Sequence, residues 1–439
     1  MELVEPNSGT DNAEDGLPAG THLESRSSIP LPEFDLTVPI LGNRWAVGIA
    51  FQTHLVFVAF IMGIALLGPS AEWLGLRGGG EHWEWLAQGL ANTVIRLFAF
   101  GATWAVFALV FIFGLYPRLF GVLTGIFFWP LVTVAAIWFV MSVSAYAYAE
   151  TWDRMRSRRR MHMAIGWVFA GATFVFISLI TFLSSYQLTP GNASEWWMAA
   201  LNASWPTEII HRHIGNLSYG ALILSSYAGV RLLIPGRGGS VNVSRYDWMA
   251  DTMLVLGLAL TLLQPIAGWL YARQIQIGSP GAYERIMTGP DAWLWLVQGF
   301  FFGGALFLAN LYFLLALRRG RPDRRAQSWI RTSVIAVGIL ALLLIVPKEW
   351  PLGQMMPWKY ISLTGMVSFS AVSVAFYWRC RPSFAWGAGG RWTRYSLALT
   401  GIALVALLVT MGVIRTSARG EYVIYGRMTE NQAQQIEGP

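Results

Sequence analysis

The chain has 439 residues, of which 55% are hydrophobic and 13% charged, with a net charge of +7 and a mean hydropathy of +0.47. A soluble domain of this length needs more charge to cover its surface, so the composition excludes a soluble globular protein. The positive charge does not indicate nucleic-acid binding, because Lys and Arg gather in short segments between apolar runs. The single Cys380 excludes an internal disulfide, and no Cys-x-x-Cys-His sequence offers covalent haem attachment.

Ten apolar runs of membrane length follow one another along the chain. Each is long enough to cross a hydrocarbon core of roughly 30 Å as one helix. They span residues 45–67, 94–115, 122–146, 163–184, 209–233, 250–270, 293–317, 333–347, 359–378 and 395–414. The sequence therefore predicts an all-α integral membrane protein, a polytopic bundle of about ten transmembrane helices.

Basic segments follow every second run. They are residues 153–160, 231–245, 318–325 and 379–394. The positive-inside rule assigns these loops to the cytoplasm and both termini to the outer, periplasmic side, and alternation alone assigns the segment 68–85 to the inside.

The pattern divides the chain into four parts. They are a polar N-terminal extension (1–40), a first five-helix part (41–233), a second five-helix part (234–414) and an outer C-terminal tail (415–439). The extension contains no recognisable cleavable signal peptide.

Histidine is the residue type most able to carry chemistry in these runs. The six histidines are His22 in the extension, His82 and His162 in predicted loops, and His54, His211 and His213 at membrane depth. Acidic residues are nearly absent from the predicted spans, which disfavours proton antiport and carboxylate metal sites. Isolated histidines among 15 methionines and many aromatics suit a haem, which needs an imidazole and a second imidazole or thioether for each iron.

Plainer interpretations of the same residues stay open. A lone His in a membrane helix can simply bond a Ser or a backbone carbonyl, and a Met there usually serves packing. His211 and His213 are two residues apart, so their side chains diverge by about 200° on a helix and at most one faces a given cofactor.

The residues around His54 resemble the first helix of subunit I of the cytochrome bd-type quinol oxidases. That family has an Arg, ten residues later a haem-ligating His, and then a Leu-Gly or Met-Gly pair. Arg44, His54 and Met62–Gly63 stand at those spacings. Weaker similarities follow in family order at 96–100, 152–154, 161–163 and 184–191. The resemblance implies a divergent member of this family with a haem ligand at His54.

The same resemblance implies further haem contacts. His211 is followed nine residues later by Gly220–Ala221, as is the family's ligand of a low-spin haem b. Met366 corresponds to the family's partner ligand, although Thr364 stands where the family has an Arg. Arg419 matches the Arg of the family's outer segment after the next helix.

Carboxylates that the family has near its haems are missing. Val134 and Ser142 stand at the places of a glutamate pair in the third helix, and Thr410 at the place of a glutamate ligand of the high-spin haem. Oxygen reduction consumes protons, so their loss argues against an ordinary oxygen-reducing centre. We expect one haem at His211 and Met366, and next a second on His54.

The family's long quinol-binding outer loop is also missing. The corresponding loop, 271–291, is short, and two extra runs (293–347) follow it. A quinol site rebuilt within this loop and a plain polar loop are the two alternatives. The residues of the rebuilt site are Arg273, Tyr283, Glu284 and Arg285.

The sequence thus predicts a membrane b-type cytochrome of a bacterial or archaeal inner membrane, the electron-transfer subunit of a quinol oxidase-like complex. The expected cofactors are haem b, in one or two copies or more, and a quinone. The expected partners are the lipid bilayer, a second membrane subunit, other redox subunits, and the quinone pool or a cytochrome, with no nucleic acid. The alternatives are a terminal quinol:oxygen oxidoreductase and, from another class, a haem-free transporter or assembly subunit.

Overall fold

Nearly all of the described chain is helical. The computed structural model describes residues 36–192, 194–234, 240–321, 323–347 and 356–435, and those from Val38 onward belong to one compact unit. The helices are α1 (Asn43–Leu74), α2 (Glu81–Leu115), α3 (Pro117–Ile126), α4 (Phe128–Glu150), α5 (Arg159–Leu188), α6 (Trp196–Ala200), α7 (Trp205–Leu233), α8 (Ser240–Thr261), α9 (Gln264–Gly278), α10 (Pro280–Met287), α11 (Leu294–Ala316), α12 (Arg324–Leu344), α13 (Met356–Cys380), α14 (Arg391–Ala418) and α15 (Glu430–Gln434). Two short antiparallel strands, β1 (Tyr422–Ile424) and β2 (Met428–Thr429), follow α14.

The long helices confirm the predicted polytopic membrane fold. Among the described residues, nine helical segments are long and apolar enough to cross a membrane, and α8 and α9 together form one of them. The tenth long helix, α7, has 29 residues. It is not among the nine, and its first turns carry the polar residues Glu208, His211, Arg212 and His213.

Contacts between helix ends define one face of the bundle, which we call the basic end. Arg245 of α8 pairs with Glu81 of α2 at 3.7 Å. Arg394 of α14 donates to the carbonyl of Leu232 in α7 at 2.7 Å. The basic end therefore comprises the starts of α2, α8 and α14 and the end of α7.

The opposite face, which we call the Glu208 end, is defined in the same way. Arg415 near the end of α14 pairs with Glu208 at the start of α7 at 2.8 Å. Arg44 at the start of α1 donates to the carbonyl of Gly420 at 2.9 Å. The helices α1 and α7 thus begin at the same face and run in the same direction.

A glycine contact joins α1 to α7. A Cβ atom on Gly63 would lie 2.6 Å from the Cα of Gly220, so the two backbones touch. One turn away, the Asn216 amide lies 2.8 Å from the sulfur of Met62. Small residues allow this approach, which is how membrane helices gain packing energy without a hydrophobic driving force.

A buried charge network joins α8, α11 and α13 at the basic end. Asp247 and Asp251 of α8 are buried, and the guanidinium of Arg319 reaches them at 2.7 and 3.3 Å. Arg381, just after α13, reaches Asp251 at 2.7 Å, and the hydroxyl of Tyr377 donates to the same carboxylate. Two carboxylates and two guanidiniums therefore fasten the ends of α11 and α13 to α8.

The predicted placement of His82 and His162 in loops is wrong, because the helices extend beyond the predicted apolar runs. Helix α1 continues to Leu74, α2 begins at Glu81 and α5 begins at Arg159, so His82 and His162 lie in helices and not in loops. Hydropathy marks only the residues within the hydrocarbon core, whereas helices of more than 30 residues extend beyond it. Acidic side chains cluster in these extensions.

Replacing Gly63 by Val should destabilise the protein by about 1–3 kcal/mol, because the new side chain must push α1 away from α7. The measurement is the thermal unfolding of the detergent-solubilised protein. The matched control is Gly48→Val on the same helix, since a Cβ there meets no atom within 4 Å. Equal melting temperatures for the two variants would contradict the contact.

Replacing Asp251 by Ala should destabilise the protein by roughly 3–5 kcal/mol, because the buried Arg319 and the largely buried Arg381 lose a shared carboxylate. Asp153→Ala serves as control, since the Asp153 and Arg156 side chains are 74% and 71% exposed. Its ion pair should contribute less than about 1 kcal/mol. A melting temperature for Asp251→Ala as high as that of the control would mean that the network does not stabilise the fold.

Candidate functional site

His54 is a half-buried imidazole whose two nitrogens have different environments. Its Nδ1 lies 2.9 Å from the carbonyl oxygen of Gly101 in α2. A carbonyl only accepts, so Nδ1 carries the proton and Nε2 keeps a free lone pair. Histidines that bind metals usually anchor their other nitrogen on a carbonyl or carboxylate in this way. The ring of His54 is therefore held by α2 with its Nε2 lone pair unused.

His211 lies against α9 and also has a free ring nitrogen. Its Nδ1 is buried and has no hydrogen-bond partner within the described residues. The ring stacks on Tyr271 with centroids 6.0 Å apart, and Gly268 lies beside it, since a Cβ there would be 3.5 Å from Cε1. A buried nitrogen left without a partner is costly, so an unpaired imidazole here fits a ligand that supplies the missing bond.

His213 faces the other side of α7. Its Nε2 bonds the hydroxyl of Ser178 at 2.8 Å, and its ring stacks on Phe174 with centroids 3.8 Å apart. The predicted divergence of His211 and His213 is confirmed. His213 packs against α5, and its ring is already satisfied by a polar and an aromatic neighbour.

His54 and His211 lie at a common depth in the bundle. Each stands nine residues before the glycine at which the two helices touch, Gly63 in α1 and Gly220 in α7. Because the helices run in the same direction, both imidazoles lie about 14 Å from that contact, towards the Glu208 end. The fold thus brings two imidazoles with free nitrogens to the same level.

A buried carboxylate collects donors one turn before His211. Glu208 is 1% exposed and receives donors from four side chains. These are Arg212 Nε at 3.1 Å, Arg415 Nη1 at 2.8 Å, Ser184 Oγ at 2.9 Å and Tyr271 Oη at 3.2 Å. Two guanidiniums share one carboxylate, so the cluster has an excess of positive charge.

Arg419 adds a further positive charge at the same end. Its Nη1 donates to the carbonyl of Val423 at 2.8 Å, while its Nε is buried without a partner in the described part of the chain. Burial, with the neighbouring cations Arg415 and Arg44, lowers the pKa of Arg419 to about 10. The guanidinium is therefore still charged at neutral pH. An anionic group would be stabilised beside it.

Met366 lies elsewhere in the bundle. It is fully buried in α13, and its sulfur would be 3.7 Å from a Cβ on Gly303 of α11. Helix α13 packs mainly against α12 and α11, whereas α7 packs mainly against α8, α14 and α1. The described neighbours of Met366 lie on α11, and those of His211 lie on α9.

The four residues of the candidate quinol site lie on α9 and α10. Arg273 donates to the side chain of Gln276 at 2.5 Å, and Arg285 pairs with Asp291 at 2.6 Å. Burial raises the pKa of Tyr283, and the nearby Arg273 opposes this shift. Glu284 is the exposed neighbour of Tyr283 on α10. Arg285 is thus committed to an ion pair, and Arg273 is near enough to Tyr283 to influence the pKa of its hydroxyl.

The positions of the missing carboxylates are occupied without a substitute. Val134 is buried among apolar side chains, and the Ser142 hydroxyl donates to the carbonyl of Trp138 in its own helix. Thr410 bonds the carbonyl of Ala406 in the same way, at 2.8 Å. None of the three supplies an acid.

Sequence reasoning missed the cluster around Glu208. The signal was present, because Glu208 and Arg212 stand three residues before and one after His211. Arg415 stands four residues before Arg419, one turn along α14. Polar residues at helical spacing around a candidate ligand indicate a shared site more strongly than the ligand alone.

Comparison with known proteins agrees with the resemblance found in the sequence. A family model described as cytochrome bd terminal oxidase subunit I matches residues 43–283, more than half of the chain, including His54 and His211. Among solved structures, the bd oxidase from Geobacillus thermodenitrificans matches with a TM-score of 0.50 and 13% identity, over 86% of this chain and 97% of that chain. At 13% sequence identity, this match shows that the two folds are similar. No curated protein sequence matches. The chain belongs to the family of cytochrome bd terminal oxidase subunit I.

Proposed function

We propose that the chain is the haem-binding, electron-transfer subunit of a bd-type membrane oxidoreductase, with His54 and His211 as iron ligands. The observation that carries the proposal is the pair of imidazoles at a common depth, each with a free ring nitrogen. A haem in a helical bundle needs such a nitrogen and apolar walls.

His54 acts as a ligand of fixed orientation. The carbonyl of Gly101 holds the proton on Nδ1, so the Nε2 lone pair stays available to iron at any pH at which the ring is neutral. The same hydrogen bond increases the basicity of the ring and so strengthens a metal bond.

His211 acts together with the arginines at the Glu208 end. Haem carries two propionates, and the excess positive charge of Arg212, Arg415 and Arg419 around the single Glu208 suits them. The unpaired Nε of Arg419 supplies a donor to such a carboxylate. A bound haem would supply a one-electron redox centre.

A second residue would hold a haem at His211 together with that histidine. The resemblance assigns this role to Met366, whose sulfur packs against α11 beside Gly303. Met366 therefore stays a prediction from resemblance, and the support from geometry rests on the two histidines.

We favour electron transfer over oxygen reduction. The support is the absence of an acid at Val134, Ser142 and Thr410, since reduction of oxygen to water needs proton donors close to the iron. The electron donor would be a quinol. Arg273 and Tyr283 would bind its oxygens, and Glu284 and Arg285 would line the outer rim.

The proposed setting follows from the family. The chain is a multi-pass membrane protein. We propose a bacterial or archaeal inner membrane, with the Glu208 end and both termini outside, and a complex with a second membrane subunit and other redox subunits that exchanges electrons with the quinone pool or a cytochrome.

Replacing His211 by Ala should abolish the absorbance of the low-spin haem b, because the iron loses its strong-field imidazole. The measurement is a reduced-minus-oxidised spectrum with a haem count for each chain. His213→Ala is the matched control on the same helix and should keep the α band. A colourless wild-type protein, or an unchanged spectrum in His211→Ala, would contradict the assignment.

Replacing Met366 by His should leave the haem low-spin and lower its midpoint potential by on the order of 100 mV, because a thioether ligand raises the potential relative to a second imidazole. A redox titration measures the shift. An unchanged potential would remove Met366 from the ligand set while leaving His211 in place.

A further inference from the structure

Glu72 and His162 form a buried pair at the basic end, away from the haem residues. Both side chains are fully buried. The Nδ1 of His162 lies 2.9 and 3.0 Å from the two carboxylate oxygens of Glu72, and its Nε2 lies 2.9 Å from the carbonyl oxygen of Tyr148. The imidazole at the start of α5 thus bridges the ends of α1 and α4.

The geometry fixes how many protons the pair holds. A carbonyl oxygen only accepts, so the Nε2 of His162 must carry a proton. On the other side, a bare nitrogen facing a bare carboxylate at 2.9 Å would place two lone pairs against each other. One proton must therefore lie between Nδ1 and Glu72, in addition to the proton on Nε2.

Neighbouring donors assign that proton to the ring. The hydroxyl of Tyr148 donates to Glu72 at 3.3 Å, and the Arg159 guanidinium lies 3.6 Å from the same carboxylate. Both stabilise the carboxylate in its charged form. His162 is then an imidazolium, doubly protonated, and Glu72 is its counter-ion.

The rest of the surroundings holds the ring in place. The Tyr148 ring stacks on His162 with centroids 4.8 Å apart, and Trp152 packs edge-on at 4.9 Å. Arg159 also pairs with Glu84 of α2 at 3.0 Å, and the Glu84 side chain is 59% exposed. The charged groups facing the pair are thus Arg159 and Glu84, and the four charges sum to zero only while His162 keeps both protons.

A solvent-open groove reaches this cluster. It has a volume of about 480 Å³ and is lined by Leu76, Ser157, Arg158, Arg159, Arg160 and Met161. Arg159 forms part of the groove wall and touches Glu72 on its other side. Arg159 therefore links the wall of the groove to the buried pair.

The other buried network at the basic end offers a contrast. Asp247 and Asp251 are balanced by Arg319 and Arg381, and guanidinium does not release its proton in proteins. That network can therefore only hold the helices together, and it cannot take up or release a proton. Imidazole, by contrast, changes its charge within the physiological pH range.

We propose that Glu72 and His162 form a proton-binding site inside the membrane protein, which exchanges one proton with water on the basic side through the groove beside Arg159. Ionisable residues within membrane segments often mark proton pathways. Neither Glu72 nor His162 is a proposed haem ligand, so this proposal can be tested independently of the haem-binding function.

The test is nitrogen-15 solid-state NMR of the full-length protein, purified with the subunits that accompany it and reconstituted in lipid. Methionine labelled at the carbonyl carbon together with labelled histidine identifies His162, because Met161–His162 is the one Met-His pair in the sequence. The assignment therefore needs no variant that could fail to fold.

We expect two N–H signals from the His162 ring at pH 6, exchange of the Nδ1 proton for deuterium after transfer to heavy water, and reversible loss of that signal as the pH is raised. Glu72→Gln, which removes the counter-ion, should leave a single N–H signal at pH 7. Asp153→Asn, at an exposed carboxylate of the same end, should behave as wild type.

Two results would overturn the proposal. A ring that keeps both protons up to pH 10 and does not exchange in heavy water would be a fixed ion pair. A ring with one N–H signal at pH 5 would show that the pair does not hold the extra proton. Neither readout depends on whether the protein binds haem.

Discussion

Charge that is buried in a membrane-length helix must find its partner inside the protein, and this constraint organises the molecule. A buried site offers neither water nor counter-ions, whether it lies in the hydrocarbon core or beyond it, so an unpaired charge there is costly. The described chain meets the constraint in three places, around Glu208, around Asp251 and around Glu72. In each, side chains from several helices converge on one carboxylate. The polar clusters therefore fix which helix ends meet, and apolar packing fills the space between them.

The three clusters differ in charge balance, and the difference separates their roles. Asp247 and Asp251 are matched by two guanidiniums, which gives a neutral and permanent fastener. Glu72 is matched by an imidazole, which can change its charge. Glu208 is outnumbered by the surrounding arginines, so that end keeps a positive potential close to His211. Of the three clusters, the one around Glu208 has the excess of positive charge that an added anion would balance. It lies beside His211, where the haem-binding proposal places the haem propionates.

Much of the architecture could be predicted from the sequence, because apolar runs of membrane length have one stable structure. The polytopic helical fold and the opposite directions of His211 and His213 agree with the structure, and the family model agrees with the resemblance. Two predicted runs are too continuous, because 122–146 crosses the break between α3 and α4 and 250–270 crosses the break between α8 and α9. The clusters could not be predicted in this way. Glu72 and His162 are 90 residues apart and lie beyond the apolar runs, where hydropathy carries no signal about pairing. For Met366 the sequence has a different limit. A motif match can name a residue, but the neighbouring helix that its side chain contacts is known only from the packing, which here is α11.

The glycine contact between α1 and α7 sets the positions of His54 and His211 along their helices. Each ring is placed by counting nine residues back from a point where the backbones touch. One residue inserted in either interval would turn that imidazole by about 100° and move it by about 1.5 Å, so a ring nitrogen aimed at a ligand would point at lipid or at a neighbouring helix. These two intervals should therefore tolerate changes of residue type far better than changes of length. In the rest of α1 and α7, an insertion beyond the histidines would leave their mutual alignment intact.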